Sequence, residues 1–328
     1  MRILIFHPTF LPPRDYGGIE RVVLWLTRGL IENGHQVYVA ALAGSRVPDG
    51  CSLIEAERKA YSAEELSQLF PKGLDIVHFM APLAEKVWSQ LTVPALLTVH
   101  GNGQCGQIFP KNTVFLSQNH ARRHGAEYSI YNGIDPSEYL YRPEFKENWF
   151  LFLSKTNWRV KNLLGAMHYC RSAEVSLKIA GGNRPFFQRL QCSMRKSMQW
   201  IGPVSGIQKA NLLAQAKALI FPVLWPEPFG LVVAEALMSG TPVIASPRGS
   251  LVEMIPPDVG FLPQSERQWI EGLQGSFENW NPERCRQWAL EKFHFIRMAE
   301  NYEKAYQKVV SGNLLNEKNP VVGNWRNE

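Results

Sequence analysis

Short apolar runs alternate with segments of helical spacing along this chain, and the whole alternation occurs twice. In the first cycle, the apolar run 2–7 leads through a loop rich in Pro and Gly, residues 8–18, into residues 19–31, where apolar side chains recur with helical spacing. Gly34 then stands where a helix C-cap is expected, and residues 36–40 have the pattern of the next strand. Strand, helix and strand in this order predict a parallel βαβ unit and an α/β fold with a doubly wound sheet.

The second cycle begins at residues 149–153, after a polar, Pro-containing stretch that we predict to be the linker between two domains, residues 135–148. Further apolar runs predict strands at 76–79, 95–99, 114–116, 176–180, 218–223 and 242–245. Segments with helical spacing lie between the later strands, at 163–171, 209–217 and 231–239. We therefore predict two Rossmann-like halves: an N-terminal domain over 1–140 and a C-terminal domain over 149–295.

The composition is that of a globular protein, with 328 residues, 45% hydrophobic and 20% charged, which is enough for about two domains. Disorder, collagen and coiled coil are excluded. The longest stretch without a charged residue, 87–110, is interrupted by Pro94, His100 and several Gln and Gly residues, so it lacks the ~20 apolar residues of a membrane span. The N-terminus has no long apolar segment with a small-residue cleavage site, which predicts a cytoplasmic location.

The net charge and the cysteine spacing indicate which kinds of ligand the chain could bind. An excess of 35 Lys and Arg over 29 Asp and Glu suits an anionic ligand or surface, although solubility alone explains a net charge of +6 equally well. The five cysteines form no C-x-x-C pair, and His168 near Cys170 has no second pair to complete a metal site. We interpret the cysteines as free, mostly buried thiols.

The sharpest motif is the run P-E-P-F-G-L-V-V-A-E-A-L at 226–237, in which seven residues separate Glu227 from Glu235. Proline on both sides holds Glu227 in a loop at the mouth of a helix, and Glu235 lies one to two turns inside that helix. Three backbone amides at the helix N-terminus favour an anion, those of Phe229, Gly230 and Leu231. The two carboxylates would then hold hydroxyl groups on either side of a bound diphosphate. From spacing alone, a glutamate favoured by the helix dipole and an exposed helical glutamate are the simpler interpretation.

A basic segment, L-S-K-T-N-W-R-V-K-N at 153–162, follows the first strand of the second half. On a loop, Lys155 and Lys161 can converge on one anion. A departing nucleoside diphosphate concentrates negative charge at one spot, and fixed cations stabilise such charge. A solvated basic loop explains the segment equally well.

A glycine-containing loop at 12–21 follows the first strand, and its Gly17 and Gly18 allow the backbone to approach a ligand closely. It lacks the G-x-G-x-x-G pattern and the acidic residue of a dinucleotide site, which disfavours NAD; a tight turn without a ligand is the alternative. His100 follows a predicted strand, where a ligand would lie, and suits a hydrogen-bonding role in a neutral tautomer. We rank His78 lower, because the Phe79-Met80 pair beside it resembles core.

In their order along the chain, these motifs resemble those of the retaining glycosyltransferases of family 4, which have the GT-B fold. The resemblance runs from residue 1 to about residue 310. Besides the carboxylate pair, the segments that carry it are Gly17-Gly18-Ile19-Glu20-Arg21-Val22, Asn132-Gly133-Ile134-Asp135, Ala180-Gly181-Gly182, Gly240-Thr241-Pro242-Val243-Ile244-Ala245 and the helical segment 297–306.

The resemblance implies two Rossmann-like doubly wound domains facing a central cleft, with residues 296–310 as a helix that crosses back to the N-terminal domain. The polar, Asn-rich residues 311–328 are expected to form a flexible tail. The implied activity is retaining transfer of a sugar from a UDP-, GDP- or ADP-sugar to a glycan, lipid-linked or small-molecule acceptor. No cofactor besides this donor substrate and no nucleic acid are implied, and the leaving phosphate would be the base.

The resemblance also implies roles for individual residues. Glu227 would contact the donor sugar, Glu235 the ribose hydroxyls, and His100 the sugar from the opposite domain. Lys155 and Lys161 would bind the diphosphate, and Val204 and Lys209 would lie beside the base. No Asp-x-Asp triplet is present, so we expect no metal site.

Two departures from the family pattern stand out. Ser154-Lys155 replaces the usual Gly-Arg, so a point charge takes the place of a bidentate guanidinium. The N-terminal half is short between Val47 and Asp75, and N-terminal loops choose the acceptor in this family, so the acceptor is left unassigned. A non-catalytic nucleotide-sugar-binding relative is the alternative function. The cluster Arg122-Arg123-His124 and the net charge suggest peripheral contact with the inner face of a membrane.

Overall fold

The structure is a computed structural model that describes residues 1–13, 17–182, 197–275 and 280–324. The chain divides into two compact units: Met1–Ile134 with Phe293–Asn327, and Asp135–Lys292. Each unit is built from parallel strands and the helices that connect them, as the alternating sequence pattern predicts.

The strands and helices of the described residues are numbered in chain order. The strands are β1 (Arg2–Phe6), β2 (Gln36–Ala41), β3 (Cys51–Glu55), β4 (Ile76–Phe79), β5 (Ala95–Thr98), β6 (Thr113–Val114), β7 (Phe150–Leu153), β8 (Leu177–Ala180), β9 (Met198–Gly202), β10 (Ala218–Phe221), β11 (Val243–Ala245) and β12 (Gly260–Phe261). The helices are α1 (Gly18–Glu32), α2 (Ala63–Leu69), α3 (Glu85–Trp88), α4 (Gln118–Arg122), α5 (Leu163–Ser172), α6 (Gly206–Gln215), α7 (Leu231–Met238), α8 (Leu251–Met254), α9 (Glu266–Gln274), α10 (Pro282–Phe293) and α11 (Phe295–Val310).

The sheet of the first unit has six parallel strands in the order β3-β2-β1-β4-β5-β6. The chain reverses its direction of travel across the sheet between β1 and β4, which is the arrangement of a doubly wound fold. One face of this sheet packs into a core that includes Phe6, Phe79 and Phe115. Helix α11 packs on α1, where Gly29 and Ala299 allow the two helices to approach closely.

A buried hydrogen-bonded chain fastens α11 to β4 and β5. Nδ1 of His78 lies 2.8 Å from the hydroxyl of Tyr306, and Nε2 lies 2.7 Å from Oγ1 of Thr98. That Oγ1 lies 2.9 Å from the hydroxyl of Tyr302. Burial lowers the pKa of His78 to about 3, so the ring is neutral near pH 7. His78 is thus a core histidine with both nitrogens satisfied, in agreement with its lower rank as a site residue.

The segment that follows α11 differs from the flexible tail that its polar sequence suggested. Over the described residues 311–324, Leu315, Asn316 and Val322 are buried. The side-chain amide of Asn316 makes four hydrogen bonds to backbone groups, those of Lys111, Thr113, Glu127 and Tyr128. Asparagine suggests solvent exposure in a sequence, but its amide can instead satisfy buried backbone groups, and here it fixes the segment to the first unit.

The second unit has the same topology, with six parallel strands in the order β12-β11-β10-β7-β8-β9. Its core surrounds Phe150, Phe152 and Ile220. The chain reverses its direction of travel between β7, the first strand of the unit, and β10. Ligands of such sheets bind outside the carboxyl ends of the strands at this point.

Four of the five cysteines lie among the described residues and are free thiols; Cys192 lies outside them. Cys170 and Cys285 are buried as expected, whereas Cys51 is half-buried and Cys105 is exposed. No group of three His, Cys, Asp or Glu side chains in the described part of the chain could hold a metal ion. No helix in that part is long and apolar enough to cross a membrane.

Candidate functional site

Two loops leave the adjacent strands β7 and β10 at the same sheet edge, because the strands are parallel. The loop after β7 contains a 3₁₀ turn at Arg159–Lys161, and the loop after β10 contains Glu227 and leads into α7. The topology therefore brings Lys161 and Glu227, 66 residues apart in the chain, to the point where the strand order reverses.

Lys161 and Glu227 form a short, buried ion pair. Nζ of Lys161 lies 2.6 Å from Oε2 of Glu227, and the two side chains are only 11% and 8% exposed. The same Oε2 accepts a hydrogen bond from the indole Nε1 of Trp225 at 2.6 Å. The ammonium of Lys161 also lies 5.0 Å from the ring centres of Phe221 and Trp225. A solvated basic loop is therefore the wrong interpretation for Lys161.

The backbone around Glu227 is fixed by the loop that precedes α8. The amide of Ser250 donates to the carbonyl of Glu227 at 2.8 Å, and its hydroxyl donates to the carbonyl of Phe229 at 2.8 Å. Gly249 has a φ of +64°, and a Cβ there would overlap the backbone nitrogen and oxygen of Glu227. Only glycine lets the two loops approach this closely.

Helix α7 begins at Leu231, the first residue of the predicted segment 231–239, so of the three amides assigned to its N-terminus only that of Leu231 belongs to a helical residue. Gly230 is its N-cap and has a left-handed φ of +82°, which reverses the chain between the Glu227 loop and the helix. Within this turn the amide of Val233 donates to the carbonyl of Gly230 at 2.8 Å, and the binding of a negative group at this end stays a prediction.

Glu235 lies inside α7 and is 3% exposed, so it is not the exposed helical glutamate of the simpler interpretation. Its Oε1 lies 2.9 Å from Nζ of Lys209, on α6, and accepts a hydrogen bond of 3.0 Å from the hydroxyl of Tyr139. Both carboxylates of the motif are thus buried, and each is bonded through one oxygen to a lysine and to an aromatic side chain.

The remaining residues expected in the second unit lie near these pairs in the chain. Lys155 is half-buried, with its ammonium 4.3 Å from the ring centre of Trp158, and that ring meets the ring of Trp225 edge-on at 6.2 Å. Two tryptophan rings in contact therefore lie between the ammonium groups of Lys155 and Lys161. Val204 is half-buried between β9 and α6.

In the first unit, Gly17 is the N-cap of α1 and Gly18 its first residue. Oε1 of Glu20, in the first turn, lies 3.9 Å from Nε2 of His7. The nearby His7 ring lowers the pKa of the Glu20 carboxyl. Burial, with a contribution from His7, lowers the pKa of His100 to about 3, and its Nε2 is buried without a hydrogen-bond partner among the described residues. A neutral His100, as predicted, is what this environment favours.

Of the three basic residues that suggested membrane contact, Arg122, Arg123 and His124, not all are exposed at the surface. His124 is buried, with Nδ1 2.7 Å from the carbonyl of His120. Arg123 donates to the side chains of Asn119 and Asn102 and is half-buried. Arg122 alone of the three is exposed.

Sequence reasoning missed Trp225, Tyr139, Gly249 and Ser250. Trp225 could have been found from the sequence, because an indole N–H two residues from a motif carboxylate can donate a hydrogen bond to it. Tyr139 is 96 residues from Glu235 and Gly249 lies in another loop, so no local pattern indicated either contact.

A sequence model described as "Glycosyl transferases group 1" matches residues 143–289. The chain is 23% identical over 321 aligned residues to an uncharacterised glycosyltransferase, MJ1607, of Methanocaldococcus jannaschii, with 76% of this chain and 81% of that protein covered. The crystal structure of AviGT4, a glycosyltransferase involved in avilamycin A biosynthesis, matches with a TM-score of 0.75 at 23% identity and covers 95% of this chain and 98% of its own. The structure of Anabaena Alr3699/HepE in complex with UDP and glucose matches with a TM-score of 0.67 at 16% identity, over 94% and 100% of the two chains.

Proposed function

We propose that the chain, which has the GT-B fold, is a member of the glycosyl transferases group 1 family and a retaining enzyme whose donor is a nucleoside-diphosphate sugar. The observation that carries this proposal is the buried Lys161–Glu227 pair at the point of strand reversal. Burying two charges costs free energy that their mutual attraction does not fully return, so a buried pair in a loop is poorly explained by stability alone. Its place at the ligand-binding edge of the sheet supports a catalytic role.

The donor would bind with its diphosphate near Lys161, Lys155 and the N-terminus of α7. When the bond between the sugar and the diphosphate breaks, the leaving group gains negative charge, and cations that are already in place stabilise it without further reorganisation. Lys161 donates one hydrogen bond, to Glu227, among the described residues, so its other N–H groups can serve a phosphate oxygen.

Glu227 would hold a hydroxyl of the donor sugar and orient its anomeric carbon. Its Oε2 already accepts two hydrogen bonds, whereas Oε1 accepts none from the described residues. Glu235 would bind the ribose hydroxyls, with Lys209 and Tyr139 holding its carboxylate. The leaving phosphate would accept the proton of the acceptor hydroxyl, which delivers the acceptor on the face that the diphosphate leaves and so retains the configuration.

His100 would supply a neutral hydrogen-bonding nitrogen to the sugar, and Gly17 and Gly18 would let the backbone approach the ligands of the first unit. Val204, together with Lys209, would lie beside the nucleotide base. The acceptor that receives the sugar would be a glycan, a lipid-linked intermediate or a small molecule.

We further propose a cytoplasmic enzyme that contacts an anionic membrane reversibly, which the net charge of +6 supports. Co-sedimentation with vesicles containing an anionic phospholipid tests it. Binding at low salt that is lost at high salt is expected; no binding at either salt concentration would contradict the membrane contact and leave the donor chemistry unaffected.

The donor proposal is tested by incubating the chain with UDP-glucose, GDP-mannose and ADP-glucose and measuring the release of nucleoside diphosphate, first to water and then to a panel of acceptors. We expect release from one of these donor classes and loss of release in Glu227→Gln. Proton spectra of the product then give its anomeric configuration, which should be that of the donor. Binding of the nucleotide sugars without release under any condition would favour the non-catalytic relative instead.

A further inference from the structure

Trp225 contacts both members of the buried ion pair. Its Nε1–H donates to Oε2 of Glu227 at 2.6 Å, and its ring lies 5.0 Å from the ammonium of Lys161. A single side chain therefore contacts both the carboxylate and the ammonium. The edge of its ring packs on Trp158, which limits the rotation of the indole.

The backbone of Glu227 is fixed by other groups, but its side chain has three rotatable bonds. Pro226, Pro228 and the Ser250 amide restrain the main chain. A lysine alone is a weak restraint on the carboxylate, because an ammonium is a point charge on a flexible stem. An indole N–H donates along one direction only, so a hydrogen bond from Trp225 selects one rotamer of Glu227.

Both donors use the same oxygen of the carboxylate. Because Oε2 receives Lys161 and Trp225, the rotamer that satisfies them directs Oε1 away, and Oε1 accepts no hydrogen bond from the described residues. A catalytic carboxylate displaced by about 1 Å can lose about a hundredfold in rate. A group that holds the rotamer therefore affects turnover more than it affects binding of the nucleotide.

We propose that Trp225 is a positioning residue, which holds Glu227 and Lys161 in the arrangement that turnover requires and leaves Oε1 of Glu227 for a hydroxyl of the donor sugar. This inference rests on the proposed function. It adds a residue that acts through Glu227 and does not touch the substrate.

The second unit contains a matched control. The indole Nε1 of Trp149 donates to Oε2 of Glu147 at 2.7 Å, and Nζ of Lys178 lies 3.9 Å from that oxygen and 3.9 Å from the centre of the Trp149 ring. The three residue types and the indole–carboxylate hydrogen bond are those of the Trp225 arrangement, whereas this lysine lies 3.9 Å from its carboxylate rather than 2.6 Å. These residues precede β7 or lie on β8, outside the loops that carry the Glu227 site. Trp149→Phe therefore makes the same chemical change as Trp225→Phe without altering a site residue.

Steady-state kinetics on the two variants test the proposal. Trp225→Phe keeps a ring beside Lys161 and removes the N–H, so we expect kcat to fall about tenfold or more while KM for the donor changes by less than about threefold. Calorimetry with UDP, GDP and ADP should give unchanged affinity. Trp149→Phe should retain the wild-type kcat. Unchanged kcat in Trp225→Phe, or equal losses in the two variants, would overturn the proposal.

An NMR measurement tests the contact without relying on turnover. The chain has ten tryptophans, and the indole N–H signal that disappears in Trp225→Phe is that of Trp225. Glu227→Gln should move this signal upfield, because a neutral amide is a weaker acceptor than a carboxylate. Glu147→Gln should leave the Trp225 signal in place and move that of Trp149.

If the chemical shift of the Trp225 indole N–H is the same in the wild type and in Glu227→Gln, the proposal that Trp225 positions Glu227 is overturned. Absence of turnover in the wild-type chain would overturn the proposed function, whereas a moved indole signal would still support the contact between the two residues. The two failures are therefore distinguishable.

Discussion

Nζ of Lys209 lies 2.9 Å from Oε1 of Glu235, on a carboxylate that is 3% exposed. The pair joins α6 to α7, so the charge that would bind ribose is also part of the packing of two helices. A substitution at Glu235 should therefore affect both ligand binding and stability.

We predict that Glu235→Gln raises KM for the donor and leaves kcat comparatively intact. A contact with ribose hydroxyls is made equally in the ground state and the transition state, so its loss weakens binding only. Calorimetry should show weaker binding of the nucleoside diphosphate. Because the Lys209 ammonium loses its contact with the Glu235 carboxylate, the free energy of unfolding should fall by about 3 kcal/mol in a urea titration. Unaltered nucleotide binding would remove Glu235 from the nucleotide site.

Gly249→Ala should displace the backbone of Glu227 and lower both kcat and stability. A Cβ at Gly249 would overlap the nitrogen and oxygen of Glu227. Gly125→Ala is the matched control, because Gly125 has a φ of +63° and a Cβ there would meet nothing within 4 Å. The control carries the cost of the left-handed backbone, about 1 kcal/mol, without the overlap. If Gly249→Ala and Gly125→Ala lose equal amounts of thermal stability and of kcat, a Cβ at Gly249 does not displace the Glu227 loop.

The pH dependence of stability should carry a contribution from His78. Burial lowers its pKa in the folded state to about 3, so below about pH 6.5 the unfolded chain binds a proton that the folded chain does not. The stability is therefore complete above that pH and is lost as the pH falls, by about 1.4 kcal/mol per pH unit for this histidine.

Urea titrations between pH 7 and pH 5 measure this slope. His78→Phe should lower the slope by the contribution of one proton. Tyr302→Phe, which removes a hydroxyl from the same hydrogen-bonded chain and no titrating group, should lower the stability without changing the slope. Identical slopes in wild type and His78→Phe would mean that His78 binds a proton in the folded chain.

Turnover should need no divalent metal, because Lys161, Lys155 and the N-terminus of α7 supply the positive charge that a leaving diphosphate requires. EDTA should leave the rate of nucleoside diphosphate release unchanged. Loss of activity in EDTA that added Mg²⁺ restores would contradict this assignment of the lysines.

The alternation of apolar runs and helical segments predicted the α/β fold with two doubly wound sheets, and the structure confirms it. The prediction succeeds because parallel strands buried on both faces leave short apolar runs that periodicity can detect. Helix ends were less accurate. The segment predicted at 209–217 is a helix over Gly206–Gln215, which begins three residues earlier and ends two residues earlier than its apolar spacing indicated.

The sequence singled out both glutamates and the lysines bonded to them, whereas it did not indicate the aromatic side chains that bond the same carboxylates. Glu227 and Glu235 lie in one short run, but Tyr139 reaches Glu235 only through the folded chain. The order of residues 313–324 was missed for a similar reason. The amide of Asn316 is saturated by backbone groups that lie 188 to 205 residues earlier in the chain, and composition does not indicate such contacts.

The central claim is that the Lys161–Glu227 pair is retained for turnover rather than for folding. A cycle of Lys161→Met, Glu227→Gln and the double variant tests it, with the free energy of unfolding and the rate of nucleoside diphosphate release measured on each. Each single variant leaves one buried group without its partner and should lose about 3 kcal/mol of stability, whereas the double variant should regain most of that loss. We predict that turnover nevertheless falls by about a hundredfold or more in all three variants. A double variant that recovers wild-type turnover together with its stability would show that the pair is structural and would contradict the account.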